Sequence, residues 1–261
     1  MNILVPVKSV IDVELNIRVR DGRVVEDGMN YVLNKWDENA VEAALVLKES
    51  QGGEVTVVTV GPDRSGEALR KTLAMGADKA VHVNDPATEG SDAHGFAKIL
   101  AKVAARGAYD LIITGKQAQD TDMGGTGPLL AAMLDLPLVA GVIAIEPQGA
   151  GKLGIRRLGQ FGTEVIELAL PALITASDSL NEPRLASLRG IMQAKKKPME
   201  VLKVADLGLS AGDVGSAGAR IQVVEYLPPP ARSAGKKFEG DEAETTAQVM
   251  NLLTNEAKIF A

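Results

Sequence analysis

The chain has 261 residues, of which 46% are hydrophobic, and it contains no cysteine. Its length suits one large domain or a domain with an extension, and the missing thiols exclude disulfides, thiolate metal sites and cysteine nucleophiles. The net charge of −6 argues against a surface for nucleic acids or anionic membranes. We expect a cytoplasmic protein with no catalytic residue and no bound metal, because the two histidines lack ligand spacing and residues 136–145 are too short an apolar run to span a bilayer.

Apolar runs and amphipathic stretches alternate through the first half of the chain, beginning with MNILVPVKSV, which predicts a first strand and not a signal peptide. The predicted strands are residues 3–7, 55–60, 80–83 and 111–114. The predicted helices are residues 34–48, 65–74, 92–106 and 128–136. This alternation is typical of βαβ units, so we expect an α/β fold with a doubly wound, mostly parallel sheet and helices on both faces.

The pattern changes after residue 145. Residues 152–158 and 164–168 alternate as a small antiparallel addition, and residues 171–175 predict a further buried strand. A helix is predicted to begin at residues 181–184. Its apolar residues recur at helical spacing, which by itself assigns them to the core: Leu185, Leu188, Ile191 and Met192.

The composition of the last third predicts a division of the chain. The small, flexible residues 210–218, SAGDVGSAG, predict a linker. We therefore expect an α/β nucleotide-binding domain at residues 1–209 and a C-terminal arm at residues 219–261. The arm is predicted to contain a strand at 220–226 and an amphipathic helix at about 242–258, and it is too short to form its own core. We expect it to pack on a partner subunit.

The loop after the fourth strand, within YDLIITGKQAQDTDMGGTGPLLAAML, combines glycines with polar side chains just before a helix. Gly115, Gly124, Gly125 and Gly127 let backbone N–H groups approach an anion where the helix N-terminus adds partial positive charge. The spacing fits neither Gly-x-Gly-x-x-Gly nor the Walker pattern, so a glycine-rich turn without a ligand stays open as an alternative. The length and polarity of the loop favour a phosphate site.

Ligands of parallel sheets bind beyond the carboxyl ends of the strands. Residues 6–8, residues 60–61 and the loop 115–126 occupy those ends, and residues 34–37 open the first helix close by. A nucleotide is the expected occupant, with its phosphate on the turn of residues 124–127. Trp36 is either a core side chain or a stacking wall.

Several motifs resemble the small (beta) subunit of electron-transfer flavoprotein. They are VPVKSVID, DENAVEAALVLKE, TVGPDRSGEALRKTLAMGADKAV, GKQAQDTDMGGTG, LNEPRLASLRGIMQAKKKP and PPPARSAGKK. The LNEPR segment is the most specific of them, and the resemblance covers nearly the whole chain. TVGPDRSGEALRKTLAMGADKAV and LSAGDVGSAG are also similar to the branch that serves amine dehydrogenases in methylotrophic bacteria.

The resemblance implies a heterodimer that accepts electrons from flavin dehydrogenases and passes them to a quinone reductase. The large (alpha) subunit would hold most of the FAD, and this chain would hold AMP in a structural role. The implied AMP contacts are Pro6, Asn34, Lys35, Trp36, Asp37, Val60, Gly115, Lys116, Gln117, Ala118, Gln119, Asp120, Thr121, Asp122, Met123, Gly124, Gly125 and Thr126. The resemblance also implies that Leu188 protrudes from a recognition loop at about residues 181–198 and docks into the dehydrogenase, and we adopt this over a place in the core.

Two departures from the family pattern leave alternatives open. Val13 and Glu14 stand where many members carry an aromatic residue against the flavin, so a direct flavin contact from this loop is in doubt. Pro128 resembles electron-bifurcating relatives, which bind a second FAD in place of AMP, whereas the hydroxyl of Thr126 suits a terminal phosphate. We expect an electron carrier with AMP, and keep as alternatives a bifurcating subunit and a universal-stress-like nucleotide-binding protein. The region after Asn181 argues against the last.

Overall fold

The structure is a computed structural model that describes residues 1–15, 17–228, 230 and 234–260. The chain divides into two compact units, Met1–Tyr226 and Leu227–Ala261. Residues 210–218, predicted as a linker, lie within the first unit. Part of the PPPARSAGKK motif, residues 229 and 231–233, falls outside the described residues.

A nine-stranded sheet forms the centre of the first unit. Its strands are β1 (Asn2–Pro6), β6 (Glu54–Val60), β7 (Lys79–Val83), β8 (Leu111–Gly115), β9 (Leu138–Gly149), β10 (Lys152–Gly159), β11 (Gly162–Ala169), β12 (Ala172–Ala176) and β13 (Met199–Leu202). Two small sheets lie outside it: β2 (Ser9–Ile11) pairs with β5 (Tyr31–Leu33), and β3 (Val19–Arg20) pairs with β4 (Arg23–Val24).

The strand order in the large sheet is β11-β10-β9-β12-β8-β1-β6-β7-β13. Neighbouring strands are parallel along the whole run β9-β12-β8-β1-β6-β7-β13. The antiparallel pairings of this sheet are those of β10, with β9 on one side and β11 on the other. The predicted mostly parallel sheet with a small antiparallel addition is therefore confirmed.

Helices cover both faces of this sheet. They are α1 (Lys35–Gln51), α2 (Gly66–Met75), α3 (Ala93–Ala104), α4 (Thr126–Met133), α5 (Leu188–Ala194) and α6 (Gly215–Gly218), with α7 (Glu242–Asn255) in the second unit. Side chains alternate along a strand: Ile3 and Val5 of β1 pack into a core cluster with α1 and α2, whereas Leu4 joins a second cluster with α3 and α4. The doubly wound arrangement thus gives two cores, one on each face.

The prediction of a helix from residue 181 is wrong for its first half. Residues 181–187 are not helical, and α5 begins only after Ser187, whose hydroxyl accepts a hydrogen bond of 3.0 Å from the N–H of Gly190. The helical spacing of Leu185 with later residues is therefore not a helical face. Side-chain contacts with α1 hold the preceding segment extended, and they outweigh local helical preference.

The flexible linker predicted at residues 210–218 is instead folded. It contains a 3-10 turn, Ala211–Asp213, followed by α6, and Val214 is fully buried. A Cβ on Gly215 would lie 2.2 Å from the carbonyl oxygen of Ala87, so the glycine permits close packing here. The small residues of this stretch therefore allow close packing against the segment that contains Ala87, and they do not make the stretch flexible.

The strand predicted at residues 220–226 is not formed. The N–H groups of Arg220 and Ile221 donate to the Asp92 carboxylate at 2.7 and 3.1 Å, and the N–H of Tyr226 donates to the carbonyl of Gly22 at 2.9 Å. Three backbone N–H groups of this segment thus bond to acceptors outside any strand ladder. In the second unit, the predicted amphipathic helix is present as α7. Asp241 caps its N-terminus, and the Asp241 carboxylate accepts hydrogen bonds from the N–H groups of Ala243 and Glu244.

Candidate functional site

The carboxyl ends of three neighbouring strands meet the start of α1. Pro6 ends β1, Val60 ends β6 and Gly115 ends β8, and β1 pairs in parallel with both of the others. The N–H of Asn34, the residue before α1, donates to the carbonyl of Lys8 at 3.0 Å. The structure therefore brings the strand-end residues predicted from sequence to one edge of the sheet.

Asn34 holds the glycine-containing loop against α1. Its side-chain nitrogen donates to the carbonyl of Gln117 at 2.9 Å, and its side-chain oxygen accepts from the N–H of Gln119 at 3.0 Å. The N–H of Lys35 also donates to the side-chain oxygen of Gln119, at 3.4 Å. Asn34 is only 1% exposed. Its amide is thus committed to the protein, and it shapes the site by fixing the loop.

Asp37 joins the same elements one helical turn later. Its carboxylate accepts the N–H of Lys8 at 2.7 Å and the N–H of Gly115 at 3.2 Å. Burial raises the pKa of Asp37 to about 7, although these N–H groups and the Asn34 side chain act in the opposite direction. A Cβ at residue 115 would lie 2.2 Å from the Asp37 oxygen, so only glycine allows this approach.

Lys8 adds a link that the predicted set of nucleotide contacts lacks. Its ammonium lies 2.8 Å from both carboxylate oxygens of Asp120 in the loop. The pair offsets a negative charge that would otherwise repel an anion bound to this loop. The signal for Lys8 in the sequence was its position just beyond the first strand.

The middle of the loop folds on itself. The N–H of Asp122 donates to the carbonyl of Ala118 at 2.8 Å, and the N–H of Ala118 donates to the carbonyl of Met123 at 3.3 Å. Gln117 also hydrogen-bonds Asp122. Thr121, Asp122 and Met123 are exposed at the tip. This closed turn leaves its side chains toward solvent, whereas both ends of the loop face the sheet.

The end of the loop presents free backbone donors at the start of α4. The N–H groups of Gly124, Gly125, Thr126 and Gly127 donate to no protein acceptor in the part of the chain that the structure describes. Thr114, at 6% exposure, has a hydroxyl without a hydrogen-bond partner among those residues, and a Cβ on Gly127 would lie 2.7 Å from it. Free N–H groups at the positive end of a helix dipole fit an anion such as a phosphate.

Three of the predicted contact residues line a cleft beside the loop. A cleft of about 320 Å³ opens on one side of the loop, and of the predicted set only Lys116, Gln117 and Gly124 line it. Its opposite wall is formed by β9, β10 and β12 through residues such as Gly141, Leu158 and Thr175. Pro6 and Val60 end β1 and β6, and Trp36, in the first turn of α1, is half-buried.

Leu188 does not belong to the edge formed by the ends of β1, β6 and β8, and its side chain is strongly exposed. Its side chain is 83% exposed, and Leu185 and Met192 are exposed beside it in sequence. The core position suggested by helical spacing is therefore wrong, and Leu188 does protrude. Its docking role stays a prediction.

The described residues contain neither a candidate membrane span nor a candidate metal cluster. None of the helices there has the length and apolar character needed to cross a membrane. No set of three or more His, Asp or Glu side chains in that part of the chain is placed to hold a metal ion.

The fold and this edge define a doubly wound α/β domain with a glycine-containing loop beyond its strand ends. Residues 21–207 match the family model of the electron transfer flavoprotein domain. The chain is similar to the electron transfer flavoprotein subunit beta of Bacillus subtilis (strain 168), with 37% identity over 100% of both chains, and to that of Methylophilus methylotrophus, with 42% identity over 99% of both. The human subunit beta is 41% identical over 93% of this chain and 94% of its own.

The chain belongs to the beta subunits of electron transfer flavoproteins. Members of this family take part in electron transport as parts of flavoproteins, act as carriers and not as enzymes in the usual sense, and pair with an alpha subunit. The Bacillus, Methylophilus and human relatives match to a similar degree, so the comparisons do not place the chain in the amine dehydrogenase branch. The matched residues include the region after Asn181, and a universal-stress-like protein has no reason to contain that region.

Proposed function

We propose that this chain binds AMP as a structural nucleotide within a cytoplasmic heterodimer with the alpha subunit. In this proposal the alpha subunit carries most of the contacts to FAD, flavin dehydrogenases are the electron donors, and a quinone reductase or a similar protein is the acceptor. The nucleotide would supply a phosphate to the loop and a base to the first two strand units. The FAD, when bound, supplies the redox chemistry.

The observation that carries the AMP proposal is the start of α4. Four consecutive N–H groups, from Gly124 to Gly127, remain without a protein acceptor in the described chain and lie at the N-terminus of an eight-residue helix. Such donors are well suited to phosphate oxygens. The Lys8–Asp120 pair and the Asn34 contacts would keep the loop in place around the nucleotide.

Pairing and docking are assigned to different parts of the chain. We propose that the C-terminal arm packs on the alpha subunit, and the exposed apolar residues Val249 and Met250 of α7 would provide contact area there. Leu188 would anchor the donor dehydrogenase, because it is strongly exposed together with Leu185 and Met192, and exposed apolar side chains grouped in this way are typical of protein interaction sites. Val13 and Glu14 stand where many family members carry an aromatic residue, so this proposal assigns no flavin contact to that loop.

Counting the nucleotides tests the central part of the proposal. The purified heterodimer is denatured, and the released FAD and AMP are quantified against protein by chromatography. The expected result is one FAD and one AMP per heterodimer. Two FAD and no AMP would overturn the AMP assignment and favour the bifurcating alternative, toward which Pro128 points.

Replacing Leu188 tests the docking assignment. Leu188→Ala should raise the KM of the heterodimer as electron acceptor in steady-state assays with a flavin-dependent dehydrogenase, while its FAD and AMP content stays unchanged. Leu185→Ala is the matched control, since this leucine is also exposed and lies three positions earlier, and it should have a smaller effect. An unchanged KM for Leu188→Ala would refute the docking role.

A further inference from the structure

The extended segment before α5 is fastened to α1. Asn39 of α1 donates from its side chain to the carbonyl of Asn181 at 2.8 Å, and the Asn181 side chain donates back to the carbonyl of Asn39 at 3.0 Å. This reciprocal pair joins residues far apart in sequence. It fixes where the segment leaves the body of the domain.

Arg184 makes the second attachment, and it is a strong one. Its guanidinium donates to both oxygens of Glu42 at 2.8 and 2.9 Å, and its backbone N–H donates to Glu42 at 3.1 Å. The same guanidinium reaches Glu49 of α1, two turns further along, and this hydrogen bond lowers the pKa of Glu49. Only 9% of the Glu42 side chain is exposed. A bidentate contact to a buried carboxylate fixes both position and orientation.

Helix α5 itself, and the residues just after it, contact α2. Gly190 packs so closely that a Cβ there would lie 2.3 Å from the carbonyl oxygen of Ala74. Lys197, just beyond α5, donates to the carbonyls of Leu73 and Ala77 at 2.9 and 2.6 Å. The exposed Leu188 therefore lies between two attachments, one on each of the helices that cover this face of the sheet.

We propose that Arg184 is a positioning residue that sets the orientation of Leu188 for the donor dehydrogenase, by bridging Glu42 and Glu49. This inference rests on the docking role given to Leu188 in the proposed function. A seven-residue helix is not stable by itself in water, and the exposed Leu188 has few contacts of its own. The attachments fix it before the partner arrives, which reduces the entropy lost on docking.

A double-mutant cycle in the intact heterodimer tests the inference. The four proteins are the wild type, Arg184→Gln, Leu188→Ala and the double variant, each assayed with the same flavin-dependent dehydrogenase, kept reduced by its substrate. Arg184→Gln should raise the KM of the heterodimer by about tenfold with little change in kcat, because the complex forms less readily but transfers electrons normally. Since Arg184 acts through Leu188, the double variant should resemble Leu188→Ala alone.

Matched controls separate positioning from charge and from general destabilisation. Arg106→Gln removes another arginine that is bidentate with a glutamate, Glu200, near α3 on the opposite face of the sheet, and it should leave the KM unchanged. Amide hydrogen exchange of residues 185–194 should accelerate in Arg184→Gln and not in Arg106→Gln. If Arg184→Gln does not yield folded heterodimer, Glu49→Gln removes the exposed half of the bridge and should give the same changes to a smaller degree.

The outcomes distinguish the two proposals. If Leu188→Ala has no effect on the KM, the docking role in the proposed function fails. If Leu188→Ala raises the KM, the docking role stands. The positioning role of Arg184 is then overturned by either of two results: Arg184→Gln leaves the KM unchanged, or its effect on the KM adds in full to that of Leu188→Ala in the double variant.

Discussion

Removal of the Asn34 side chain should release the loop without weakening α1. Asn34 precedes the helix but makes no side-chain capping bond to it, and its side-chain nitrogen and oxygen hydrogen-bond the loop, at Gln117 and Gln119. Each of the two bonds contributes about 1 kcal/mol of net stabilisation. Asn34→Ala should therefore weaken the closed loop by about 2 kcal/mol, which corresponds to about a 30-fold rise in the dissociation constant of AMP.

The assay is equilibrium dialysis of AMP against the heterodimer, together with hydrogen exchange of residues 116–120. Asn2→Ala is the control, because Asn2 makes a side-chain bond to the carbonyl of Ala108 at 3.4 Å at the opposite end of β1. We expect weaker AMP binding and faster loop exchange for Asn34→Ala only, with FAD content unchanged. AMP affinity within a factor of two of the wild type, with unchanged exchange, would refute the assignment of Asn34 as the tether.

Two further predictions follow from close contacts and from burial. Gly190→Ala should displace α5, because the new Cβ would lie 2.3 Å from the Ala74 oxygen; faster proteolysis within residues 185–197 checks this, and an unchanged digest would contradict it. The folded-state pKa of Asp37, about 7, is above its ordinary value of 3.8, so the folded state keeps a proton that the unfolded state releases. The free energy of unfolding should therefore fall as pH rises, by about 2 kcal/mol from pH 5.5 to 7.5. Denaturant unfolding should show this loss in the wild type and not in Asp37→Asn.

The predicted elements that succeeded are those with strong periodic patterns. The apolar runs around Leu4 and Ile113 are strands, and the stripe from Ala40 to Leu47 is a helix, since burial on both faces of a parallel sheet leaves a continuous apolar run in the sequence. The helix predicted from residue 181 failed because Arg184 finds its partners on α1. Helical spacing does not reveal a partner more than a hundred residues away.

The residues of the site also fall into two groups, those that the sequence predicted and those whose contacts only the folded chain shows. The sequence by itself determined the α/β class, the strand ends at Pro6, Val60 and Gly115, and the glycines that leave N–H groups free before α4, because these depend on local composition and on a general rule for parallel sheets. The tertiary structure alone decided that Asn34 and Asp37 face the protein and that Lys8 pairs with Asp120. Hydrogen bonds and ion pairs between distant segments form only once the chain is folded, so no local pattern encodes them.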